Sequence, residues 1–225
     1  MPVILSLETS TEVCSVALQE GKTLLAQAEV HEPQSHAARL APLIEEVKRV
    51  AGVTSKDIHA VAVSQGPGSY TGLRIGTSTA KGLCYALDIP LIAVGTLELL
   101  AFQGSAYNSS GALLCPMIDA RRMEVYCLVA GHDLQVIEPV SAKIIDEHSF
   151  KELLEGNKML LFGNGSAKCK AVIRHSNAIF LDNVYPLAAA LGVIAQKKFN
   201  AGQFEDLIHF SPFYLKEFIA KRAGV

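Results

Sequence analysis

Ser64-Gln65-Gly66-Pro67-Gly68-Ser69-Tyr70-Thr71-Gly72-Leu73-Arg74-Ile75-Gly76 is the stretch whose reading decides the fold. Just ahead of it, His59-Ala60-Val61-Ala62-Val63 is a Val-rich apolar run bounded by turn signals, the pattern of a buried strand. Behind it, the chain as far as residue 87 holds no breaker other than glycine and reads as a helix. Glycine admits positive φ and proline fixes its own, so Gly66-Pro67-Gly68 is turn chemistry, and Ser69 and Thr71 are candidate N-caps. The unit is strand, tight loop, helix N-terminus. Such a corner can hold an anion on its backbone N–H groups, and it serves equally as a plain connection between strand and helix.

Composition narrows what surrounds this corner. The chain has 225 residues, half of them hydrophobic, which suits a folded α/β protein and excludes a disordered one. Lys and Arg number 20 against 22 Asp and Glu, a net charge of −2 without the basic stripe of an autonomous nucleic-acid binder. The first residues go straight into a strand pattern with no basic leader, and no apolar run reaches transmembrane length. The five cysteines, at 14, 84, 115, 127 and 169, form no C-x-x-C. They read as reduced, buried thiols of a cytoplasmic protein.

Upstream of the corner, residues 3–8, 13–18 and 23–30 predict three strands in an antiparallel meander. A helix is predicted over 35–51, with Leu40, Leu43, Ile44, Val47 and Val50 at helical spacing and Pro42 in its first turn or at a kink. The helix over 71–87 repeats Gly72, Gly76, Ala80 and Cys84 every four residues, beside a row of Ile75, Thr79, Leu83 and Leu87. Small residues on one face let another backbone approach closely. That backbone belongs either to the chain's own sheet or to a second chain. A strand over 90–94 and a helix from Thr96 follow, then a linker-like cluster at 104–111.

Past that cluster the pattern restarts. A strand ends in Asp119; a turn, two strands and a helix over 149–154 follow. Then come a strand over 159–162, a second glycine loop (Gly163-Asn164-Gly165-Ser166), a short helix, a strand over 178–181, a helix over 186–199 and a terminal helix over 214–221. The chain therefore reads as two βββαβαβα halves, 1–108 and 109–225. That element order resembles the actin, sugar-kinase and heat-shock chaperone (ASKHA) superfamily, which has one RNase H-like fold in each of two lobes.

Three motifs carry a narrower resemblance: Glu8-Thr9-Ser10-Thr11, Gly66-Pro67-Gly68-Ser69-Tyr70-Thr71-Gly72-Leu73-Arg74, and Asp119-Ala120-Arg121-Arg122-Met123-Glu124-Val125-Tyr126. Together with Ser35-His36 ahead of Leu40 and Pro42, they are similar to the TsaB (YeaZ) family over essentially the whole chain. The resemblance implies a non-catalytic accessory protein of threonylcarbamoyladenosine synthesis in tRNA. Its expected partners are a paralogous TsaD-like catalytic subunit and a TsaE-like ATPase, with tRNA reached only through the complex and no membrane partner. The catalytic subunit places the threonylcarbamoyl group on N6 of the adenosine beside the anticodon. In isolation the family forms homodimers through the same helical surface. On this chain that surface falls on the first two helices, with Leu40, Leu43, Val47, Gly72, Ile75, Gly76, Thr79, Ala80 and Leu83 as interface candidates. Gly76→Leu is then expected to weaken self-association and spare the fold.

Chemistry of the chain's own finds little support in the residues. The seven His lie at 31, 36, 59, 132, 148, 175 and 209, none of them four apart, whereas the catalytic subunit's metal site uses such a pair. No metal site is expected, and a glycoprotease-like metallopeptidase is disfavoured. ATP-using members of the superfamily clamp phosphates with Gly-containing hairpin turns. Here Thr9-Ser10-Thr11-Glu12 and Ala120-Arg121-Arg122 contain no glycine. A weak, degraded nucleotide site would fall on Thr9, Ser10, Asp119, Gly163 and Gly165. An ASKHA-type kinase or ATPase is the alternative reading. Ser10, Ser69 and Cys14 have no His/Asp neighbours in a recognisable arrangement, so neither a catalytic residue nor a cofactor is expected.

Overall fold

A computed structural model describes residues 1–216. In the first half, β1 (Val3–Glu8), β2 (Cys14–Glu20) and β3 (Thr23–Val30) form the antiparallel meander, followed by α1 (His36–Ala51). Then come β4 (Ala60–Gly66), α2 (Tyr70–Leu87), β5 (Leu91–Gly95) and α3 (Thr96–Ser105). The second half contains β6 (Leu113–Asp119), β7 (Glu124–Ala130), β8 (Val136–Ile144), α4 (Lys151–Gly156), β9 (Met159–Phe162), β10 (Ala178–Phe180) and α5 (Ala188–Asn200). The first sheet has the order β3-β2-β1-β4-β5 and the second β10-β9-β6-β7-β8. Read from its own first strand, each sheet has the same topology: an antiparallel three-strand meander extended by two parallel strands.

Strands β1, β2, β4 and β5 of the first sheet are buried on both faces, the edge strand β3 is partly open, and the two faces have different covers. Leu5, Leu7, Val16, Leu18, Val61 and Val63 pack under Leu40, Ile44 and Val47 of α1 and Ala80 and Cys84 of α2. On the other face, Ile4, Ala60, Ala62, Ile92 and Val94 meet Leu191, Ile194 and Ala195 of α5. Helix α3 is shared: Leu99 joins that second face, while Leu97, Leu100 and Ala101 pack on Leu114, Ile118, Leu160 and Phe162 of the second sheet. The second sheet's outer face is closed by Phe150 and Leu154 and by the 3-10 turn Ala167–Ala171 through Cys169.

Several details depart from the sequence reading. The helix over 186–199 falls in the second half of the chain, yet α5 belongs by packing to the first sheet. Its Ala188 N donates to Ser15 Oγ at 3.1 Å, and Gln19 Nε2 donates to Ala189 O at 3.0 Å. The reason is arithmetic of faces: α1 and α2 cover one side of a sheet that is apolar on both. Pro42 sits inside α1 at an exposed position. The second lobe's counterparts of α1 and α2 shrink to the six-residue α4 and the 3-10 turn. Of the terminal helix expected over 214–221, residues 214–216 are not helical and the rest lie outside the described residues. Residues 205–216 instead run along the first lobe, with Glu205 N donating to Leu91 O at 2.9 Å and Phe213 N to Gln65 O at 2.7 Å.

The small-residue stripe needs a correction. Gly72, Gly76, Ala80 and Cys84 are all buried, and they face the chain's own first sheet. A Cβ on Gly72 would lie 2.1 Å from Thr9 O, and one on Gly76 2.2 Å from Thr9 Oγ1. The close approach they permit is α2 against the β1–β2 turn. Leu40 and Val47 are likewise core residues. Of the nine interface candidates, Leu43, Ile75, Thr79 and Leu83 remain partly open to solvent.

Candidate functional site: the cleft between the lobes

The C-terminal end of β1 and the corner after β4 are built around one another. Thr9 Oγ1 donates to Gly72 O at 2.8 Å, and Ser69 N donates to Ser10 O at 2.7 Å. Ser69 caps α2, its Oγ accepting from Gly72 N at 3.3 Å. Gly66 has φ +114, and a Cβ there would lie 2.6 Å from Phe213 O, so this glycine is required by conformation and by space. The Gly66–Pro67 peptide is cis. Glu8 is enclosed where β1 ends: its Oε1 accepts from Ser10 N at 2.6 Å and Ser10 Oγ at 2.5 Å. Burial pushes its carboxyl up to about 7, against the lowering effect of the Ser10 hydroxyl, the Ser64 hydroxyl and the Ser10 amide.

Between the lobes lies a cleft of about 790 Å³. Its first-lobe wall is the turn at 10–12 with the first turns of α1 and α2; its second-lobe wall is 118–121, Tyr126 and Asn164, and residues 213–216 close one side. Asn164 joins the two walls: Nδ2 donates to Glu12 Oε2 at 2.6 Å and Oδ1 accepts from Asp119 N at 3.0 Å. Asp119 is engaged by the Lys168 ammonium and accepts from Arg121 N at 3.0 Å.

Of the five positions expected for a nucleotide, Ser10 and Asp119 line this cleft, while Thr9, Gly163 and Gly165 do not. Thr9 is turned toward α2. Gly163 has φ +95 and would place a Cβ 2.3 Å from Met117 O; a Cβ on Gly165 would lie 2.8 Å from Ile118 C. These glycines seat their loop against β6, which is a packing role. His36 lines the cleft as well, outside the positions expected from the sequence. It is the first residue of α1, 6% exposed, and its Nε2 is buried with no hydrogen-bond partner. The signal was present in Ser35-His36 ahead of a helix, but only the fold brings that helix start beside the corner after β4.

The cysteines are all free and buried. Among the described residues, no three His, Cys, Asp or Glu are grouped to hold a metal, and no helix is long and apolar enough to cross a membrane.

Two sheets of one topology, joined through the shared helix α3 and meeting at a cleft, define the two-lobed ASKHA class with an RNase H-like fold in each lobe. An activator of 2-hydroxyisocaproyl-CoA dehydratase from Clostridium difficile, solved with bound ADPNP, shares that fold with a TM-score of 0.53 at 9% identity, over 89% of this chain and 97% of its own. YeaZ from Pseudomonas aeruginosa is far more similar, with a TM-score of 0.80 at 28% identity over 96% of this chain and 100% of its own. Residues 22–223 match the family model of TsaD, tRNA N6-adenosine threonylcarbamoyltransferase. The chain is also 32% identical over 224 residues, 96% of each partner, to the tRNA threonylcarbamoyladenosine biosynthesis protein TsaB of Escherichia coli K12. It belongs to the TsaB family, within the wider group that the TsaD model describes.

Proposed function

We propose that this chain is a non-catalytic subunit of the machinery that installs threonylcarbamoyl on N6 of the adenosine next to the anticodon in tRNA. The observation that carries this reading is the match to TsaB relatives along the full length of both chains. The structure adds support. The hydroxyls and glycines where phosphate chemistry was expected are engaged in packing, and Asp119 is held by Lys168. In this reading the chain pairs with a TsaD-like catalytic subunit, is joined by a TsaE-like ATPase, meets tRNA through that complex and works in the cytoplasm. Alone it forms a homodimer. The pairing surface is the outer side of α1 and α2, where Leu43, Ile75, Thr79 and Leu83 are partly open and Tyr85 is 84% exposed.

Mixing the chain with a TsaD-like subunit tests this. Co-elution on gel filtration and a gain in tRNA modification over the catalytic subunit alone are expected; separate elution with no gain refutes the assignment. A second reading, an ASKHA-type ATPase, has the volume of the cleft in its favour. Phosphate release by the isolated chain, abolished by Asp119→Asn, would support it over the first.

A further inference from the structure

We propose that residues 205–216 are a strap that holds the two lobes together along one side of the cleft. The corner after β4 is its fixed anchor, and the Lys216–Glu124 ion pair is its releasable one. This inference goes beyond the subunit reading and stands without it.

The fixed end is built into the first lobe. Glu205 N donates to Leu91 O at 2.9 Å, on the edge strand β5. Lys81 of α2 donates from Nζ to Ile208 O at 3.2 Å and to Phe210 O at 2.9 Å. Leu207 and Phe210 pack, partly buried, against the core beneath α1 and α2. Phe213 N then donates to Gln65 O at 2.7 Å. The corner is shaped for that contact. Gly66 has φ +114, and a Cβ there would stand 2.6 Å from Phe213 O, so the missing side chain is the seat of the strap backbone. The first glycine of the Gly66-Pro67-Gly68 corner therefore has a use that neither an anion cradle nor a plain turn requires.

Past Phe213 the hold changes character. Tyr214 tilts against Tyr70 at the start of α2, with ring centroids 5.1 Å apart, and stays 40% exposed. Lys216 reaches the second lobe, where its Nζ donates to Glu124 Oε1 at 2.5 Å, at the first residue of β7. The two side chains are 49% and 20% exposed. Water and salt screen such a pair, and its net strength is small. Tyr214, Leu215 and Lys216 line the cleft, so the segment that spans the lobes also covers the space between them. Phe204, Ile208, Phe213 and Tyr214 are all exposed, which leaves the strap few buried apolar contacts. Segments of that kind open at the lowest free energy in a fold. With a firm seat on one lobe and a screened contact on the other, the strap lets go at its Lys216 end first. Release frees one side of the cleft and lets the lobes move apart about α3, while Phe213 keeps its place.

The test is amide hydrogen exchange and small-angle scattering on the full chain. Lys216→Ala and Glu124→Ala are each expected to speed exchange at Asp119, on the second-lobe wall, by about threefold and to raise the radius of gyration. Exchange at Phe213 is expected to stay as in the parent. The double variant should do no more than either single one, because both remove the same contact. Lys216→Glu places like charges together and should open the lobes further. In the parent chain, salt at about 0.5 M should have the effect of Lys216→Ala. Unchanged exchange at Asp119 in Lys216→Ala and Lys216→Glu, or additive effects in the double variant, would overturn the proposal. So would exchange at Phe213 that speeds as much as at Asp119, since the strap would then leave as one piece.

Discussion

Glu8 closes β1 with its carboxyl fully enclosed, and burial raises its proton affinity against the opposing hydrogen bonds from Ser10. The ordinary carboxyl value is 4.5 and the folded one about 7. Below the lower value the group is protonated folded or unfolded. Between the two, the folded chain keeps a proton that the unfolded chain releases, so stability falls as pH rises through that window, by up to about 3 kcal/mol. The Cys14 thiol, pushed up to about 11 by burial and then by the Glu8 charge, stays neutral throughout. Glu8→Gln keeps an acceptor for Ser10 and removes the titration. Its melting temperature relative to the parent chain should therefore climb between pH 5 and pH 8; a difference that is flat with pH would show that Glu8 does not titrate there. Gly76 offers a second test at this scale. With a Cβ only 2.2 Å from Thr9 Oγ1, Gly76→Ala must displace the hydroxyl from Gly72 O, at about 2–4 kcal/mol. Thr9→Ala relieves the overlap, so in urea melts the double variant should lose less than the sum of the singles. Gly76→Leu, expected from the sequence to spare the fold, should instead unfold the first lobe.

At the scale of elements, α5 and α2 teach different lessons. Strand β4, the corner at 66–68 and α2 were legible because Val-rich strand, Gly-Pro-Gly and a capping Ser are local signals. The stripe of small residues on α2 was equally visible, but its partner was not. Periodicity says that something approaches closely, and only the packed chain says that it is Thr9. The pattern over 186–199 locates α5 along the chain but not on its sheet, because sequence order says nothing about which sheet face lacks a cover. A chain of residues 1–108 alone lacks α5 and exposes Ile4, Ala60, Ala62, Ile92 and Val94 on one sheet face. It should show no cooperative melt by circular dichroism and should aggregate. A soluble, cooperatively folding 1–108 would contradict the account of α5 as that face's cover.

Across the whole molecule, the lobes are coupled by α3, by Asn164 bridging Glu12 to Asp119, and by Lys216 on Glu124. Asn164→Ala removes the bridge and leaves both sheets intact. Faster amide exchange at Asp119 and a stability loss of about 1 kcal/mol are expected, with unchanged far-ultraviolet circular dichroism. Exchange at Asp119 equal to that of the parent would show that the bridge does not hold the cleft.

Some features of this protein were determined by its sequence alone. Strand and helix periods, the turn glycines and the restart after residue 111 are local, and they specify two copies of one topology. The motifs at 8–11, 66–74 and 119–126 were enough to indicate the TsaB family. The tertiary structure decided which face of each element is spent inside the chain. It turned the Gly72–Gly76 stripe inward, moved α5 onto the first sheet, and tied Asp119 to Lys168. It also left Nε2 of His36 buried without a hydrogen-bond partner. These outcomes depend on contacts between residues tens to more than a hundred positions apart, and the pattern of any one segment is silent about them because burial is a property of pairs of surfaces.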